Sequence, residues 1–292
     1  MPAPTTRTAQ SRRTDQPPPR AGHLIALHGA SGGVGTTMIA AELACLLASS
    51  GRHVLALDAD LQRGSLHYRL DVPVGRATFS IADVLPVLDD LSTELLRGAV
   101  SESTSGAWLL PAPPVLEVRA GPGREEGMGL ARALRSSFEF VIADTAASFD
   151  GLTLGLLEAA ETVLLVVTPE LGCLGAAKRA LGVLQPARSG PVELVVNRSL
   201  GQGDLVGPDE ISSFLSLPAL RVLPEDTGRC RRLGDQCRPV CSERSALARE
   251  ITGLARALFG QNRISSAATD PEVKHVWPSK RPRDGRATRD NR

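Results

Sequence analysis

Aromatic side chains are scarce in this 292-residue chain, at 3% of positions, and no apolar run approaches the roughly 20 residues that a bilayer crossing needs. A transmembrane helix is therefore not expected. The first twenty residues, MPAPTTRTAQSRRTDQPPPR, lack the apolar centre of a secretory signal. Five cysteines (45, 173, 230, 237 and 241) form no even, regular framework, which points to reduced thiols in a cytoplasmic protein. The C-x6-C-x3-C spacing of Cys230, Cys237 and Cys241 is not a structural zinc pattern, and no histidine lies nearby to complete it.

What abounds instead is Ala, Leu, Val and Gly, within a hydrophobic share of 42%, which suits packed parallel strands and helices. The net charge of +1 is uneven. Residues 1–20 carry four arginines against one aspartate, and residues 263–292 carry eight basic side chains against four acids, leaving the body near −6. Both ends are rich in Pro, Ser, Arg and Asp without apolar periodicity, so the expected organisation is a basic disordered tail over 1–20, one domain over 21–262 and a second basic disordered tail over 263–292. The last thirty residues hold prolines at 271, 278 and 282 and no apolar face, so an amphipathic membrane anchor is not expected there and membrane association would be weak or indirect.

Within the body, short apolar runs alternate with helical segments, the signature of a parallel α/β sheet. Strands are expected at 24–28, 53–57, 107–112, 138–144, 162–167, 192–196 and 220–223. Helices are expected after Gly35 and at 80–87, 93–100, 127–137, 151–160, 175–184, 209–215, 229–236 and 242–259, with a polar loop over 61–70 and another over 111–123. The stretch LIALHGASGGVGTTMIAAELACLL, residues 24–47, reads as strand, glycine-rich turn and helix. That order makes a phosphate-binding loop: Gly32, Gly33, Val34 and Gly35 let consecutive N–H groups face one anion, and the helix opened by Thr36 and Thr37 adds the partial positive charge of its N-terminus. Thr37 stands where a loop hydroxyl coordinates magnesium, but Thr36 occupies the position of the usual lysine. Asp58 and Asp144 close strands at the sheet end where ligands bind. There they either hold magnesium, directly or through water, or cap the loops that follow.

Four pieces in the right order resemble the MinD/ParA family of deviant-Walker P-loop ATPases: Ser31 to Thr37, LDAD ending at Asp60, VIADTAA from Val141, and VVNR ending at Arg198. The resemblance covers nearly all of 21–260. It implies a three-layer α/β P-loop NTPase fold of the SIMIBI type with a mostly parallel central sheet, binding ATP or ADP with Mg. In that pattern Asp60 orients the attacking water, while Asn197 and Arg198 border the adenine, although Asn197 is equally suited to a turn.

The family carries lysines where this chain has Ser31 and Thr36. Charge-assisted hydrogen bonds contribute about 1.5–3 kcal/mol each, so binding should survive on the backbone while hydrolysis becomes weak or absent. Ala146 also stands where the family usually has a proline, two residues after the acid that matches Asp144.

GVGTT in place of GVGKT looks like the CpaE/TadZ branch. That branch implies a positioning protein for septum-site determination or for Flp pilus and secretion systems. It would be a homodimer, partnered by a CpaF-type secretion ATPase or by cell-division proteins, and recruited to membrane, pole or septum. Such relatives commonly begin with a receiver-like domain; 20 residues stand in that place here, and that domain's role is not carried over. The alternatives are an active MinD-type ATPase regulating division and, with less support, a ParA-like DNA-associated partitioning factor. The latter would use the arginines of 228–249, which otherwise form a solvated helical face.

Overall fold

A parallel sheet buried on both faces favours strands with near-continuous apolar runs, and the central strands carry such runs up to the polar residues near their ends. The computed structural model describes residues 22–75, 77–115, 121–188 and 190–260, so the tails expected at 1–20 and 263–292 lie outside the described residues. In chain order the elements are β1 (His23–Gly29), α1 (Thr36–Ser49), β2 (Val54–Ala59), α2 (Leu66–Arg69), α3 (Ile81–Val84), α4 (Thr93–Ala99), β3 (Ser101–Glu102), β4 (Trp108–Leu110) and α5 (Arg124–Ser137). They continue with β5 (Phe140–Thr145), α6 (Gly151–Ala159), β6 (Thr162–Val167), α7 (Leu171–Ala187), β7 (Val192–Ser199), α8 (Pro208–Leu215), β8 (Ala219–Pro224), α9 (Thr227–Gly234) and α10 (Ala246–Phe259). Eight strands form one sheet in the order β3-β4-β2-β5-β1-β6-β7-β8, parallel except where β3 meets β4.

The strand order explains the layers. The step from β1 to β2 moves toward one edge, whereas those from β5 to β6, β6 to β7 and β7 to β8 move toward the other. Right-handed crossovers then place α1 on one face and α6, α7 and α8 on the opposite face. α10 returns to pack on α1 and β8, and α5 packs on α6. The α5–α6 approach depends on glycine, since a Cβ on Gly155 would sit 2.9 Å from the Cα of Gly127. The direction of chain travel reverses about β1, and the ends of β1, β2 and β5 open onto the loop after β1, where open α/β sheets bind ligands.

Several boundaries differ from the sequence expectation for identifiable reasons. The loop expected over 61–70 contains α2, whose start is held by Asp58: its carboxylate accepts the Leu66 N–H at 2.9 Å. β5 begins at Phe140, because Phe138 still closes α5 with its N–H bonded to the Leu134 carbonyl. The helix expected over 80–87 is α3 followed by a 3-10 turn at Leu85–Asp90. α5 and α7 each begin earlier than expected, at Arg124 and Leu171.

The helix expected over 242–259 is interrupted. Val240–Ser242 forms a separate 3-10 turn, and α10 starts afresh at Ala246, capped by Ser245. The cause lies in α1, where the buried Glu42 carboxylate accepts the N–H groups of Val240 and Cys241 at 2.5 and 3.0 Å. Burial raises the pKa of Glu42, and those two N–H groups oppose the rise. Glu42→Ala would strand two buried donors, so a stability loss of about 2–4 kcal/mol is expected by chemical denaturation. Glu42→Gln, which keeps one acceptor, should lose clearly less; equal losses would show that the pairing contributes little.

Candidate functional site

The loop between β1 and α1 is shaped by two residues in the left-handed region, Gly33 (φ 80°) and Gly35 (φ 100°). α1 begins at Thr36 with no side chain capping it and no acid in its first turn, so its leading N–H groups are left facing outward. Asn197, at the end of β7 and 3% exposed, donates its side-chain amide to the Val34 carbonyl at 2.7 Å. Asn197 thus braces the loop from beneath, while Arg198 beside it is exposed.

Asp58 and Asp144 lie opposite each other in the β2–β5 register. Both are buried, at 0% and 2% exposure, and in each carboxylate Oδ1 has no hydrogen-bond partner among the described residues. Burial pushes Asp58 up to about 7, assisted by the nearby charge of Asp60 and opposed by the Leu66 N–H. Asp144 is pushed up to about 8 by burial and then by the charge of Asp58, with the Thr37 and Thr36 hydroxyls pulling the other way. Two orphaned, buried carboxylate oxygens beside a threonine hydroxyl are a donor set that a hard divalent cation fits. Among the described residues no group of three or more His, Cys, Asp or Glu is placed to cage a metal, so such a cation would draw further oxygens from a ligand and from water. Asp60 sits in a turn, where its Oδ1 accepts the N–H groups of Gln62 and Arg63 at 3.2 and 3.0 Å.

A cavity of about 500 Å³ opens beside the loop, lined by Gly33, Gly35, Thr36 and Thr37 and by Pro224 to Thr227. Asn197 and Arg198 line it together. The structure therefore brings the residues 33 and 35–37, 197 and 198 to one space. Gly32 is exposed on the loop, and Val34 is turned into the core at 3% exposure.

Sequence reasoning missed Tyr68 and Arg69 of α2, and it read Cys230 and Arg231 of α9 only as a rejected zinc ligand and as part of a basic face; all four line the same cavity. No periodic signal marks Tyr68 and Arg69, because α2 is one turn long. It also missed His28, 1% exposed at the end of β1, whose Nδ1 lies 3.2 Å from the Thr145 hydroxyl and whose ring lies 4.7 Å from that of Phe149. Burial lowers the His28 pKa to about 4, so it is neutral and ties the loop strand to the segment after β5. A histidine immediately before a glycine loop was the available signal.

The basic face expected over 228–249 is reduced. Arg229, Arg232 and Arg238 converge on Glu243, at 2.7, 2.7 and 3.8 Å, an internal clamp that draws half of the six arginines away from an external anion. No described helix is long and apolar enough to cross a membrane.

A family model described as AAA domain matches residues 22–185. The chain is 29% identical over 204 residues to an uncharacterized ATP-binding protein of Methanocaldococcus jannaschii, covering 69% of this chain and 74% of that protein. It is 25% identical over 246 residues to the septum site-determining protein MinD of Thermotoga maritima, covering 82% and 89%. A crystal structure of a ParA family ATPase from Chlorobium tepidum superposes with a TM-score of 0.70 at 25% identity, over 82% of this chain and 98% of that one.

Proposed function

Because this chain belongs to the MinD/ParA family of P-loop ATPases, we propose that it is a nucleotide-binding positioning protein of the CpaE/TadZ type, with weak or absent hydrolysis, acting in septum-site determination or in localising a Flp pilus or secretion system. The observation that carries the nucleotide reading is the pair Asp58 and Asp144, each with an unpartnered buried oxygen, set beside the uncapped N-terminus of α1. The loop N–H groups at Gly33 to Thr37 would hold the phosphates, and Asn197 would keep the loop in shape for them. Thr37, Asp58 and Asp144 would hold Mg, which supplies charge neutralisation on the phosphate oxygens. Asp60 would orient water, and Arg198 would border the base.

The weak-hydrolysis part rests on Ser31 and Thr36. Neither side chain can carry positive charge to the oxygens where negative charge grows during phosphoryl transfer. Magnesium-dependent ATP binding in the micromolar to millimolar range is expected, with turnover well below the roughly 1 per second typical of enzymes. Turnover at that rate or faster would favour the MinD-type ATPase, a reading that the similarity to MinD supports equally well. Absence of binding at millimolar ATP would remove the nucleotide reading.

The partners that follow from this reading are a second copy of the chain and a CpaF-type secretion ATPase or cell-division proteins. In the resembled family the lysine at the place of Ser31 reaches across to a facing subunit's phosphates; with serine there, dimerisation should depend little on ATP. Ser31→Lys combined with Thr36→Lys should raise ATP affinity about tenfold or more and make association respond to nucleotide. Sedimentation of both proteins with and without ATP checks this. A wild type that dimerises only when ATP is added would overturn it.

A further inference from the structure

We propose that Arg69 and Arg231, delivered from α2 and α9, supply the positive charge to a bound nucleoside triphosphate that the loop itself lacks. The proposal rests on the nucleotide reading of the cavity. Its starting point is a shortage of lysine: the chain has three, at 178, 274 and 280. Lys178 alone falls among the described residues, and it is spent on the Phe214 carbonyl at 3.0 Å. Any cation that meets a ligand in the cavity from the described residues is therefore an arginine.

Three arginines line the cavity, Arg69, Arg198 and Arg231, and none of them forms an ion pair with a carboxylate among the described residues. The contrast within α9 is direct. Arg229 is held by Asp226 and Glu243, and Arg232 by Glu243, whereas Arg231 between them is exposed along the cavity wall. Arg69 is half-buried and positioned from two sides. Its Nη1 donates to the Cys230 carbonyl at 3.0 Å, and Gly234 leaves no room for a side chain against its guanidinium. Among the described residues no other hydrogen bond engages that guanidinium, which stays in the cavity wall.

Acids also border the cavity, namely Glu225, Asp226 and Asp235. Asp226 is occupied by Arg229, and Glu225 accepts the Thr227 N–H at 2.7 Å. A triphosphate with Mg still carries net negative charge, and guanidinium groups bind phosphate oxygens through paired, geometrically matched N–H bonds. Arg69 also sits on the segment that follows Asp58 and Asp60, so an anion engaging it would join that segment to α9.

Equilibrium binding of Mg-ATP and of adenosine to the full chain tests this. Arg69→Gln and Arg231→Gln should each weaken ATP about tenfold or more while leaving adenosine within about twofold. Adding Thr36→Lys to either variant should recover most of the loss, because it returns a cation to the loop. A residue that merely holds α9 in place would show neither the ATP selectivity nor the recovery. Arg231, exposed and unpaired, keeps the test decisive if Arg69→Gln disturbs the α2–α9 contact. Wild-type protein that binds no ATP would overturn the nucleotide reading itself. Wild type that binds ATP, with both glutamine variants equal to it or with adenosine weakened as much as ATP, would overturn the arginine assignment alone.

Discussion

Asp144→Asn is expected to stabilise the ligand-free protein at alkaline pH and, in the same molecule, to abolish magnesium-dependent ATP binding. Asp144 is 2% exposed, one oxygen has no partner, and Asp58 faces it across the β2–β5 register. Both acids have folded-state values, about 8 and about 7, above the ordinary 3.8. The folded chain therefore keeps protons that the unfolded chain releases. The stability these protonated acids contribute is full below about pH 4 and is lost as pH rises through the raised values. Ligand-free protein should be measurably less stable at pH 8.5 than at pH 5.5 for this reason.

An amide has the shape of the carboxylate and no charge to desolvate. The gain at pH 8.5 should be about 1–3 kcal/mol, read as a thermal midpoint several degrees higher, with a smaller gain at pH 5.5, where less of the window above pH 4 has been crossed. The opposite effect on binding follows because an amide oxygen is a much poorer ligand for Mg. A thermal midpoint lowered at pH 8.5, or unchanged Mg-ATP binding, would show that this carboxyl is not an unsatisfied cation ligand.

Gly35→Ala should be the most damaging single-methyl change in the loop. Gly35 has φ 100°, where an L side chain is strained, and a Cβ there would lie 2.5 Å from the Asn197 amide nitrogen. That nitrogen donates to the Val34 carbonyl, so the added methyl breaks the brace as well as straining the backbone. Backbone strain of about 1–3 kcal/mol and a lost buried hydrogen bond of about 1–3 kcal/mol together predict a loss of about 2–6 kcal/mol. ATP affinity should fall about a hundredfold or more, because the N–H groups no longer converge on one anion. Gly32 is the control: a Cβ there meets nothing within 4 Å, so Gly32→Ala should change stability by less than about 0.5 kcal/mol. Equal stability losses at 32 and 35 would refute the role given to Asn197.

Local pattern alone settled a large part of this protein. Apolar runs of four or five residues marked the parallel strands β1, β2, β5 and β6, because a strand covered on both faces leaves little room for a polar side chain before its end. Glycines followed by a helix start marked the tight turn between β1 and α1, since glycine meets its positive φ values at Gly33 and Gly35 without steric cost. Acids at strand ends marked Asp58 and Asp144, although not that they stand side by side, because β2 and β5 are more than eighty residues apart in the chain and pair only in the sheet.

What the tertiary structure alone decided are the long-range polar pairings. Glu42 looked like one more residue of an apolar helix; its carboxylate is instead the acceptor that breaks the expected helix at 242–259, across 198 residues. Asn197 looked like a base contact or a turn residue, and its amide is committed to a carbonyl 163 positions earlier. The arginines of 228–249 looked alike in the sequence, yet Glu243 gathers Arg229, Arg232 and Arg238 and leaves Arg231 on the cavity wall. Periodicity records which face of an element is apolar. It carries no record of which distant donor meets which acceptor, and in this molecule the site is built from those meetings.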